Sequence, residues 1–108
     1  MAFQIGGALL DACVLARLSR EDEYGYALTQ GVKDTLEVSE STMYPVMRRL
    51  QTEDCLTVYD VPYAGRNRRY YRITELGRKK LRVYIDEWGV FRQKIDAILK
   101  GGDANDGN

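Results

Sequence analysis

At Leu56 the spacing of apolar residues changes period, and that change limits the folds open to the chain. Upstream, apolar residues recur three and four apart. Leu9, Leu10, Cys13, Val14, Ala16 and Leu18 predict an amphipathic helix from about Gly7 to Leu18. Residues 19–23 read as a polar linker. A second helix is expected from Tyr24-Gly25 to about Leu36, with Tyr26, Ala27, Leu28, Val32 and Leu36 as its apolar set. A third follows almost at once, with Ser39 as N-cap because its hydroxyl can accept a free first-turn N–H. Downstream, residues 56–61 and 69–73 are β-branched and aromatic, and residues 62–67 between them supply Pro, Gly and Asn. The pattern predicts a β-hairpin with a loop longer than the tight two-residue kind. Thr74 then caps a long helix to about Lys100, with Glu75 at its positive end.

Three short helices, a hairpin and a helix have few ways to share one core. The expected class is mainly α (α+β): a winged helix-turn-helix with a long C-terminal dimerisation helix. Residues 1–73 form the winged unit, 74–100 the dimerisation helix and 101–108 a disordered tail with nothing to bury.

Histidine is absent and there are two cysteines, Cys13 and Cys55. Histidine-based acid–base catalysis, the usual Ser-His and Cys-His nucleophiles and the common zinc sites are thereby removed. No catalytic residue, metal or cofactor is expected. The acidic runs Asp86-Glu87 and Glu21-Asp22-Glu23 need only solvation. Two cysteines make a poor disulfide framework, so each reads as a small buried apolar residue in a reducing cytoplasm. No run approaches the ~20 apolar residues of a membrane span. Met1–Ile5 has no basic region and Asp11 interrupts the apolar stretch that follows, so no signal peptide is expected.

With Met43 at zero and roughly 100° per residue, Met43, Val46, Met47 and Leu50 fall on one side of the third helix, its core face. The opposite side carries Ser41, Pro45, Arg48 and Thr52, flanked by Tyr44 and Arg49. Such a surface suits a major groove: Arg forks onto guanine, hydroxyls reach several bases and Tyr reaches phosphate. Arg48-Arg49 can equally be a solvated face. Pro45 removes one backbone bond, so a local distortion is expected there.

Charge segregation favours the groove. The chain is neutral overall, yet residues 39–82 hold ten basic and five acidic residues, a net +5, leaving −5 elsewhere. A polarised neutral chain has the footprint of a polyanion binder. The wing sequence Gly65-Arg66-Asn67-Arg68-Arg69 reads as a flexible basic loop that can reach phosphate or a minor groove. Arg69 and Tyr71 read instead as sheet structure.

In the last helix Leu81, Tyr84, Trp88, Phe91, Ile95 and Ile98 keep 3-4-3-4-3 spacing, widened by Ile85 and Leu99. About 25 residues span ~37 Å, more than one small domain covers. The stripe is therefore expected to pack on a second copy, with the first helix also at the interface. Two-fold symmetry then implies an inverted-repeat operator in double-stranded DNA, its half-sites ~34 Å apart or a multiple of that. Trp88, the single tryptophan, reads either as a core aromatic or, with Tyr84 and Phe91, as a wall for a flat apolar ligand.

Four motifs, in this order and spacing, resemble the PadR family of bacterial transcriptional regulators across about Leu9 to Leu99: Tyr24-Gly25-Tyr26, residues 41–50 (STMYPVMRRL), residues 65–71 (GRNRRYY) and Ile73-Thr74-Glu75-Leu76-Gly77. The single C-terminal helix resembles the compact subfamily, and Trp88 its multidrug-sensing branch. The resemblance implies a dimeric repressor released by a planar aromatic effector sandwiched at Trp88; the residues of the groove face and wing expected to contact DNA are Ser41, Thr42, Tyr44, Arg48, Arg49, Arg66 and Arg68. It departs at Asp54-Cys55, where the family has a glycine after the third helix, and Gly89-Val90 gives no assurance of an open pore in the dimer. The other class of function is a winged-helix module for protein association, its basic wing docking an acidic partner.

Overall fold

The computed structural model describes residues 7–101. The expectations for Met1–Ile5 and for residues 102–108 lie outside them. Helix α1 (Gly7–Arg20) is followed by the short strand β1 (Glu23–Tyr24), α2 (Gly25–Leu36), α3 (Glu40–Thr52), the hairpin β2 (Leu56–Tyr63) and β3 (Arg66–Ile73), and α4 (Glu75–Leu99). The hairpin sheet has three antiparallel strands, in the order β1-β3-β2. Helices around a small wing sheet make a winged helix, as the period change implies.

The core is built where the periodicity places it. Leu10, Val14, Leu15 and Leu18 of α1 meet Leu28 and Val32 of α2, and Met43, Val46, Met47 and Leu50 of α3; Leu56, Ile73 and Leu81 close it. Cys55 is buried and Cys13 half-buried, both as free thiols. Burial pushes both thiols above their ordinary range, which suits packing and not nucleophilic chemistry.

Helix boundaries follow local chemistry. Ser39 caps α3 by accepting the Thr42 N–H, and Thr74 caps α4 by accepting the Gly77 N–H. At the end of α3 Asp54 takes the left-handed φ of 61°. The Cys55 N–H reaches the Leu50 carbonyl and the Asp54 N–H the Gln51 carbonyl, so the helix closes with both bonds of a Schellman turn.

Three expectations are corrected. The linker after α1 is shorter than expected: the helix continues to Arg20, and Glu23-Tyr24 pairs with Tyr71 and Tyr70 as a third strand. Two residues carry no periodicity to read. The wing is not a long loop. Its strands run to Tyr63 and from Arg66, joined by Ala64 and Gly65 with φ of 50° and 82°. Two successive positive φ values make the tight hairpin turn, and Pro62 is tolerated because β2 is an edge strand. Tyr26 and Ala27 of α2 face outward.

Helix α4 starts inside the core through Leu81, with Tyr84 packed against it, and then runs beyond. The described chain measures 62 × 32 × 21 Å as a result. No described helix is long and apolar enough to cross a membrane.

Candidate nucleic-acid interface

Helix α3 is anchored by four core residues, so its outer face is fixed. Ser41, Thr42, Tyr44, Pro45, Arg48 and Thr52 are all exposed there. The helix is unbroken at Pro45. The missing N–H affects only the Ser41 carbonyl, on a side where water can reach it. Around the cap the Ser39 hydroxyl lies 3.0 Å from that of Ser41 and 2.9 Å from that of Thr42.

Tyr44 and Arg48, one turn apart, are mutually ordered. An Arg48 Nη donates to the Tyr44 hydroxyl at 3.2 Å, and the guanidinium lies 5.1 Å from the ring centre. Such a pair holds an extended cation in place at low entropic cost. Arg49 is placed otherwise. Its Nε and Nη2 both donate to the carboxylate of Asp11, which is 7% exposed on α1. That bond keeps the Arg49 proton even more firmly than in a free guanidinium.

The wing carries its cations on a stiff hairpin, not the flexible loop expected from Gly65–Arg69. Arg66 is exposed beside the turn. Arg68 is half-buried, its guanidinium 3.7 Å from the Tyr63 ring centre and 4.4 Å from that of Tyr24. Arg69 faces Asp60 across the ladder at 3.9 Å, the sheet pairing expected for it. Tyr59 stacks on Tyr70 at 5.7 Å, and Arg72 lies over Tyr59. Asp22, after α1, accepts from both the Tyr59 hydroxyl and Arg72, tying the wing to the α1–β1 linker.

Of the ten cations in residues 39–82, five are paired within 4 Å: Arg49 with Asp11, Arg69 with Asp60, Arg72 with Asp22, Lys80 with Glu53 and Arg82 with Glu75. Among the described residues Arg48, Arg66, Arg68, Arg78 and Lys79 have no such carboxylate partner.

Between α3, the start of α2 and β3 lies an open groove of about 740 Å³, lined by Tyr26, Tyr44, Arg48, Gln51, Arg69 and Tyr71 among others. Sequence reasoning missed Tyr26, which is 66% exposed. The signal was present: at roughly 100° per residue Tyr26 falls about 160° from Leu28, on the far side of its helix. Gln51 carried no signal beyond its place next to the 41–50 motif, whereas Arg69 belongs to the 65–71 motif and reads there as sheet structure.

Along α4, Leu81 is buried and Tyr84 half-buried, whereas Ile85, Trp88, Phe91, Ile95, Ile98 and Leu99 are exposed in the single chain. Leu76, Val83 and Val90, outside the expected seam, are exposed too. Among the described residues no cluster of side chains could hold a metal ion.

Comparison with known proteins identifies the family of the chain. The model of the transcriptional regulator PadR-like family matches residues 14–83. An uncharacterised protein of Lysinibacillus sphaericus is 33% identical over 98 residues, spanning 85% of this chain and 89% of its own. A crystal structure from Streptococcus mutans superposes with a TM-score of 0.85 at 34% identity, covering 98% of this chain and all of that one. A PadR family transcription regulator of Clostridium difficile gives 0.75 at 26% identity, covering 83% and 97% of the two chains. A PadR-like regulator of Bacillus cereus gives 0.75 at 30% identity, covering 84% and 91%.

Proposed function

Because the chain belongs to the PadR-like family of transcriptional regulators, and so is a DNA-binding regulator and not an enzyme, we propose that it acts as a homodimeric repressor whose α3 enters the major groove. The observation that carries this reading is the outer face of α3, where Tyr44 and Arg48 stand ordered opposite the buried Met43 and Leu50. Arg48 offers its remaining donors to a guanine edge or phosphate; Ser41 and Thr42 offer hydroxyls at the helix start. Arg66 reaches the backbone from the wing. Arg68 supports it by filling the space between Tyr24 and Tyr63.

The second copy is supported by the uncovered apolar face of α4. Pairing through residues 74–100 presents two α3 helices to an inverted repeat. The effector on this reading is a planar aromatic compound sandwiched at Trp88, with Tyr84 and Phe91 as the adjoining wall, whose binding releases the repressor from DNA. Titration with a panel of such compounds quenches Trp88 fluorescence on this reading, and an unchanged spectrum across the panel removes the effector.

The DNA-binding face is tested with Arg48→Ala in a binding titration over a range of salt. If Arg48 reads a base, operator affinity falls by about 1–3 kcal/mol with an unchanged salt slope. If it grips phosphate, affinity falls for every sequence and the slope drops by about one. Unchanged affinity overturns the assignment of α3.

A further inference from the structure

Arg49 lies one residue from Arg48, and the sequence offers both as DNA contacts. Their surroundings separate them. Arg48 is exposed on the outer face, whereas the Arg49 head is turned back to α1, where Asp11 takes its Nη2 at 2.5 Å and its Nε at 3.4 Å. Asp11 is the one charged side chain in the buried set of the described residues. Glycine at the start of α1 leaves room for the guanidinium: a Cβ on Gly7 would lie 3.2 Å from the Arg49 Nη2. Two donors, one to each oxygen of the same carboxylate, fix the direction of the side chain as well as its distance.

We infer that Arg49 is a positioning residue which, through Asp11, sets the rotation of α3 about its axis and thereby the aim of Tyr44 and Arg48. Helix α1 also packs against α4. The Asp11–Arg49 pair therefore joins the reading helix to the helix that carries the dimer face, so a shift of α1 is transmitted to α3 as a change of aim. This role rests on the reading that α3 enters the groove.

The sign of one substitution distinguishes this role from direct contact. If Asp11 merely competed with DNA for Arg49, Asp11→Asn would release the guanidinium and tighten binding. If the pair positions α3, Asp11→Asn and Arg49→Leu each weaken operator binding roughly tenfold, the size of coupling found between contacting charged groups. The double variant is then no weaker than either single one, and the salt slope is unchanged because no phosphate contact is lost. Tighter binding by Asp11→Asn, or a slope reduced by about one in Arg49→Leu, overturns the inference. A measurement on the unmutated protein guards against misfolded variants. The Arg49 Nε–H resonance of labelled protein stays in place when operator DNA is added if the pair persists, and moves if Arg49 turns to the DNA. Arg48→Ala is run alongside. No loss there rejects the groove reading of α3, while a loss in Arg48→Ala with none in Asp11→Asn rejects only the positioning role.

Discussion

The indole of Trp88 and the phenyl ring of Phe91 lie 6.4 Å apart and tilted by 41°, on a stretch of α4 that the described chain leaves uncovered. Large aromatic rings with apolar neighbours at Ile95 and Ile98 are costly to leave in water. Light scattering at micromolar concentration is therefore expected to give twice the 12.4 kDa of one chain. Phe91→Asp places a charge in the seam and shifts the mass to that of one chain. A wild-type monomer would contradict the pairing.

Asp54 closes α3 in a conformation that glycine adopts freely. A side chain in the left-handed region costs about 1 kcal/mol or somewhat more. Asp54→Gly is expected to raise the unfolding free energy by up to about 1 kcal/mol, measured by urea denaturation, without altering DNA binding. The Schellman bonds from Cys55 and Asp54 are backbone bonds and survive the change.

Gly77 shows the opposite sensitivity. It lies in the first turn of α4 against the Cys55 backbone, and an added Cβ would meet the Cys55 carbonyl and, at 2.8 Å, the Ile73 side chain. Gly77→Ala is expected to cost about 1–3 kcal/mol, because the backbone it strikes cannot move aside cheaply. Gly89 in the same helix has open space around it in the single chain, so an equal loss at Gly89→Ala would point to a close partner there.

The Tyr59 hydroxyl donates to Asp22 at 2.6 Å, and this bond holds the phenol above its ordinary range. A folded-state pKa raised above the unfolded one contributes stability that is complete below the ordinary value of about 10 and is lost as pH rises through the folded value. Tyr59→Phe is expected to melt below wild type at neutral pH, with the gap closing in the alkaline range. A gap that persists unchanged above that range would show that the hydroxyl bond is not its source.

Much of this molecule is legible from spacing. The core face of α3, the Ser39 and Thr74 caps and the order of elements follow from periodicity and local hydrogen bonding, which a sequence displays directly. What escaped depends on partners distant in the chain or on single dihedral angles. Asp11 reads only as an interruption in an apolar helix until Arg49, 38 residues away, is brought beside it. Arg68 reads as a free cation until the register sets it between Tyr63 and Tyr24. Strand β1 is too short to show alternation, and Ala64 gives no hint that it will take a positive φ.

The most direct measurement is hydroxyl-radical footprinting on a duplex selected from a random pool by the wild-type protein. Two protected patches related by two-fold symmetry are predicted, centred about 10 base pairs apart or a multiple of that, and lost with Arg48→Ala. A single patch without symmetry, or protection that survives Arg48→Ala intact, would contradict a paired regulator reading DNA through α3.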